Sequence, residues 1–162
     1  MLQLIKVISV SIILFFSFFI PEKLDETTSV KCMIQMSNYE GEGAYIIISL
    51  INQNDNYEKT LYIQGNDPEW YSEIYEWWEF YGSIRSDISA ISGATISGGE
   101  RKISILNIPN SKIDNGYSIR FETAVEDQKY YTKDIQFKLN SANIKSEFEG
   151  NGYIRYIRMM NH

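Results

Sequence analysis

The side chains that most often do chemistry are thinly spread in this chain. The one His is His162, the final residue, and the one Cys is Cys32, so no intrachain disulfide can form. Without a second His or Cys there is no nucleophilic triad or dyad and no transition-metal cluster. The Gly pairs do not follow a strand and open a helix, as a nucleotide-binding fingerprint requires. No Asp-x-Asp-x-Asp run suggests a calcium loop. Glu40 and Glu42 form a carboxylate pair, but in a Gly-rich turn, where solvated charge is the ordinary reading. Catalysis by this chain alone is therefore not expected. What remains is a stretch of small residues and hydroxyls, Ser89-Ala90-Ile91-Ser92-Gly93-Ala94-Thr95, followed by Ile96-Ser97-Gly98-Gly99.

The elements that would position this stretch follow from periodicity. A length of 162 residues suits one domain, and an aromatic fraction of 14% favours pleated sheet. Val30, Cys32, Ile34 and Met36 alternate with Lys31, Met33 and Gln35, so Cys32 points into a core. Ala44–Ile51 is almost wholly apolar, as in a strand buried on both faces. Asn52–Asn56 turns the chain, and Tyr57–Gln64 returns as a hairpin partner. Asp67-Pro68-Glu69 starts a helix: Asp caps free N–H groups, Pro takes the first position and Glu meets the positive dipole end. Trp70, Ile74, Trp77 or Trp78, and Tyr81 recur every three or four residues as one stripe, until Gly82 ends it. Ser83–Gly99 reads as an ordered loop. Strands resume at Arg101–Ile108, Tyr117–Val125, Lys129–Leu139 and Tyr153–Met159. Seven or so strands, one helix and no βαβ rhythm predict an all-β antiparallel sandwich with one inserted short α-helix.

The N-terminus carries an export pattern. One Lys stands in Met1–Lys6, fourteen uncharged residues follow in Val7–Ile20, and Pro21-Glu22-Lys23 closes the run. Residues 1–21 read as a signal peptide or short membrane anchor, 22–29 as a polar tether and 30–162 as the sandwich domain. Fifteen cationic and 21 acidic side chains give a net charge of −6. With Lys and Arg scattered, that balance argues against nucleic acid as a partner. Contact with a membrane is expected only through the N-terminal segment.

Ser92-Gly93-Ala94-Thr95 matches the core of the acceptor sequence of periplasmic flavoproteins, in which a flavin transferase joins the phosphate of FMN to the Thr hydroxyl. The longer order extends the match: Leu61-Tyr62-Ile63-Gln64-Gly65, a Trp-Trp helix, Ile91–Thr95, a strand, then Asp114-Asn115-Gly116-Tyr117 leading into Ser118–Ala124. Over Val30–Leu139 the chain resembles the bacterial family called domain of unknown function family 2271. That resemblance implies an immunoglobulin-like sandwich in the periplasm or cell envelope, encoded among flavinylation and extracytosolic electron-transfer components. It implies covalent FMN at Thr95, with Ser92, Gly93 and Ala94 making room and with Trp70, Trp77 or Trp78 offering a ring for stacking. Arg85 and Arg101 flank the loop and could offset phosphate charge. Acceptor sequences usually place Asp three residues before the Ser; here that position is Ser89, and the nearest Asp is Asp87.

Two functions stay open at this stage. The first is a redox carrier or accessory protein, with a flavin transferase and membrane redox proteins as its partners. The second is a cofactor-free binding or assembly module of an envelope complex.

Overall fold

A computed structural model describes residues 25–84 and 91–161. Among the described residues nine strands form two sheets: β1 (Thr27–Met36), β2 (Tyr45–Ile51), β3 (Tyr57–Gln64), β4 (Ser92–Gly93), β5 (Arg101–Pro109), β6 (Ser118–Ala124), β7 (Tyr131–Lys138), β8 (Glu147–Glu149) and β9 (Ile154–Asn161). The orders are β5-β1-β9-β8 and β4-β3-β2-β6-β7. Every pairing is antiparallel except β3 with the two-residue β4, which run parallel.

The expected all-β sandwich is the architecture found. Its main core lies between the sheets, where Val30, Cys32, Ile34 and Met36 of β1 meet Ile46, Ile48 and Leu50 of β2, together with Phe121 and Phe137. Cys32 is fully buried, as its alternation requires, and burial pushes its thiol well above the usual range. β1 begins at Thr27, three residues before the apolar alternation starts. Those polar residues pair with the end of β5, Thr27 opposite Pro109.

A second core explains why β2 is apolar on both faces. Ile47 of β2 and Ile63 of β3 face away from the sandwich interior and pack with Tyr71, Ile74 and Trp77. The molecule therefore has three layers: a helical layer, the five-stranded sheet and the four-stranded sheet. A bulge in β3, where Ile48 pairs with Tyr62 and Ser49 with Thr60, puts Leu61 in the main core while Ile63 serves the second.

The helical layer differs from the single helix predicted. Asp67 does cap it, accepting from the Glu69 N–H at 3.0 Å, with Pro68 in the first turn. The first piece, Pro68–Glu73, is a 3₁₀ helix that breaks at Ile74 (φ −87°, ψ 62°). An α-helix, α1, then runs over Tyr75–Ile84. The break rotates the stripe, so that Tyr71, Ile74 and Trp77 are buried while Trp70 is only half-buried. Among the described residues no helix is long and apolar enough to cross a membrane. The export segment 1–21 lies outside them.

Candidate functional site

The loop around Thr95 is held at both ends. On its N-terminal side, β4 lies along β3, Ser92 opposite Ile63 and Gly93 opposite Gln64. The Gly65 N–H donates to the Gly93 carbonyl at 2.5 Å, and the Gln64 side-chain amide donates to the Ala94 carbonyl. On its C-terminal side, Ile96 is a buried plug that exchanges backbone hydrogen bonds with Ala44 at 2.8 and 3.2 Å. The Tyr39 hydroxyl fastens the same spot, donating to the Ile96 carbonyl (2.5 Å) and accepting from the Ala44 N–H (2.8 Å). Between these anchors Ala94 and Thr95 are exposed, while Ser92 and Gly93 are half-buried. The Thr95 hydroxyl has no hydrogen-bond partner among the described residues. Gly93 sits close under Tyr62: a Cβ there would stand 2.8 Å from the Tyr62 hydroxyl, and that side chain would have to move aside.

Thr95 borders a cleft of about 170 Å³ at the end of the sandwich next to the helical layer. Tyr45, Trp70 and Ile74 give it an apolar wall, Gly43 lies beside Thr95, and Glu42, Glu73 and Glu126 make it acidic. Of the three Trp expected to offer a stacking face, Trp70 alone lines this cleft. Trp77 does not fit that role. It is fully buried, its ring stacks on Tyr81 at 4.7 Å, and its indole N–H donates to Thr60 Oγ1 at 2.9 Å. Trp78 packs half-buried against the same second core and is likewise absent from the cleft wall. Arg101 is turned elsewhere, donating to Gln35 Oε1 at 2.9 Å and to the Tyr156 hydroxyl at 3.5 Å. Arg85, Asp87 and Ser89 lie outside the described residues.

Several of these neighbours had no local pattern to announce them. Tyr39, Tyr45 and Glu126 come from three separate turns and strands, and the tertiary fold alone brings them to Thr95.

A second polar cluster sits on the outer side of the five-stranded sheet. Glu122 is fully buried there, accepting from the Tyr57 hydroxyl at 2.7 Å and from the Tyr130 hydroxyl. Burial pushes its carboxyl up to about 7, against the pull of the two tyrosines and Arg120. Beside it Arg120 and Lys133 converge on Asp55, each at 2.8 Å. Hydrogen bonds from Lys133 and Gln136 hold that carboxyl down at about 2. Among the described residues no three His, Cys, Asp or Glu side chains are grouped to hold a metal ion.

A family model described as Predicted periplasmic protein (DUF2271) matches residues 27–156, which takes in β1 to β8, the start of β9, the helical layer and the Thr95 loop. The chain belongs to that family. A periplasmic or envelope location, expected from the N-terminal export pattern, is therefore the family's own. No curated protein and no solved structure matches the chain.

Proposed function

We propose that this envelope protein is a carrier of covalently attached FMN, with Thr95 as the attachment residue, in an extracytosolic electron-transfer system. The observation that supports it is the Thr95 hydroxyl: exposed, unpartnered among the described residues, and set at the edge of a cleft walled by Trp70 and Tyr45. Joining a phosphate to an alcohol needs an activated donor, and FAD carries FMN already activated as a pyrophosphate. Thr95 Oγ would attack the flavin-side phosphorus, the P–Oγ bond would form, the pyrophosphate P–O bond would break and AMP would leave. No oxidant is consumed. The chain brings the nucleophile and its rigid platform, while a flavin transferase supplies the base that takes the Thr95 proton. Attached there, FMN would supply one- and two-electron redox chemistry.

The cleft constrains the arrangement. Glu42, Glu73 and Glu126 repel a phosphodiester, so Thr95 would present the phosphate toward solvent. Trp70 and Tyr45 would offer their rings to the uncharged part of the cofactor.

Co-expression with a flavin transferase tests this reading. The intact mass of the purified chain should rise by one FMN less water, and Thr95→Ala should abolish the gain. In the modified protein Trp70→Phe should raise flavin fluorescence, because a stacked indole quenches it. An unmodified mass, or an adduct that persists in Thr95→Ala, overturns the proposal and leaves the cofactor-free assembly module.

A further inference from the structure

Charge is partitioned across the layers. By register the outer face of the four-stranded sheet carries Lys31, Arg101 and Arg158 against Glu147 and Glu149, a net of +1 in a chain whose net charge is −6. Arg158 is paired with Glu147, whereas Lys31 and Arg101 have no carboxylate partner among the described residues. On the opposite surface Asp67, Glu69, Glu73, Glu76 and Glu79 give the helical layer five acids and no base before Ile84.

The two unpaired cations share that face with exposed apolar side chains. Cross-strand rows put Ile103 beside Met33 and Arg158, and Ile105 beside Lys31 and Met160. Ile103 is 56% exposed and Ile105 45%, on an edge strand whose one partner is β1. Exposed apolar side chains flanked by cations are what an anionic lipid surface accommodates.

The sequence fixes what lies within reach. β1 belongs to this same sheet, and its first residue, Thr27, follows the uncharged run Val7–Ile20 by a few residues. That link spans at most about 25 Å when fully extended. If the uncharged run is held in a bilayer, the four-stranded sheet stands at its surface.

We propose that the outer face of the four-stranded sheet docks on an anionic phospholipid bilayer, with Ile103 and Ile105 inserted among the headgroups and Lys31 and Arg101 facing their phosphates. The acidic helical layer then points away, and the Thr95 cleft, walled in part by Trp70 and Glu73, opens toward soluble partners. This does not depend on whether Thr95 carries flavin.

The full chain, reconstituted into vesicles of phosphatidylcholine with phosphatidylglycerol, tests the orientation. A fluorophore is placed at Ile105→Cys or, as a control, at Glu79→Cys. Cys32 is buried and takes no label. Lipid-borne quenchers should dim the Ile105→Cys label several-fold more than the Glu79→Cys label. The difference should shrink in high salt and in vesicles of phosphatidylcholine alone. Lys31→Gln with Arg101→Gln should lower the ratio of face-down to face-up molecules on the order of thirtyfold. Equal quenching at both positions, or a difference indifferent to salt and lipid charge, overturns the proposal. The salt titration of the unsubstituted surface decides the matter even if the double variant folds poorly.

Discussion

Gly43 leaves the space that the Thr95 side chain fills: a Cβ on Gly43 would stand 2.5 Å from Thr95 Oγ1 and 2.7 Å from Thr95 Cβ. Neither segment can easily give way, because Ala44 and Ile96 are bound to each other and to Tyr39. Gly43→Ala should therefore cost about 1–3 kcal/mol in urea unfolding, the usual penalty for overpacking. Thr95→Gly in the same chain should restore most of that loss, giving a clear coupling in the double-mutant cycle. Equal losses with and without the Thr95 side chain would show that the two do not press on one another.

Trp70 and Trp77 should separate sharply in stability. Trp77 fills the second core and holds Thr60, so Trp77→Ala should cost roughly 3–5 kcal/mol. Trp70 borders open space in the cleft, and Trp70→Phe should stay within about 0.5 kcal/mol. Chemical denaturation of both variants checks this. A large loss at Trp70 would mean that its ring supports the fold rather than the cleft.

Much of the sandwich was legible because its strands alternate. Cys32 between Val30 and Ile34 pointed inward on period alone, and the Asn52–Asn56 turn delimited the β2–β3 hairpin. Runs that break the period were harder to read. Leu61 and Ile63 look like one face, yet the bulge sends them to different cores. The aromatic stripe looked like one helix because nothing in Glu73-Ile74-Tyr75 forbids helix; packing of Tyr71 and Ile74 against Ile47 and Ile63 imposes the break. At the site, Ser92–Thr95 was visible as a loop of small residues. The carboxylates of Glu42, Glu73 and Glu126 meet there only through long-range pairing, which no local pattern encodes.

Asp134 joins the two sheets and should be among the least replaceable polar residues. Fully buried on β7, it accepts through Oδ1 from the Asn151 and Gly152 N–H groups at 2.8 and 2.7 Å. Through Oδ2 it accepts from Thr123 Oγ1 at 2.7 Å and from the Ile154 N–H at 3.0 Å. Both oxygens face donors, so the amide of Asp134→Asn must set an N–H₂ against N–H whichever way it turns. A loss on the order of 3 kcal/mol is expected. Thr123→Val removes a single donor and should cost about 1 kcal/mol. Urea midpoints decide, and a loss for Asp134→Asn no larger than that for Thr123→Val would contradict the four-bond arrangement.

Glu122 should make the fold less stable as the solution turns from mildly acidic to neutral. Its carboxyl rises from 4.5 to about 7 on folding because it is buried, with Tyr57 and Tyr130 as its hydroxyl partners. Between those two values the native state holds a proton that the unfolded chain has released, so stability falls with rising pH across that window and is level above it. The difference is worth roughly 3 kcal/mol. Asp55 acts in the opposite sense and elsewhere: its carboxyl is held down at about 2, so its contribution is lost only as pH drops below 3.8. Urea unfolding at pH 5 and pH 8 isolates the Glu122 contribution. The native chain should be more stable at the lower pH, and Glu122→Gln, which has no proton to lose, should remove most of that slope. Tyr57→Phe takes away a hydrogen bond that favours the ionised carboxyl, and should push the fall in stability to higher pH. An identical slope in the native chain and Glu122→Gln would mean that this carboxyl is already ionised in the folded protein at pH 5.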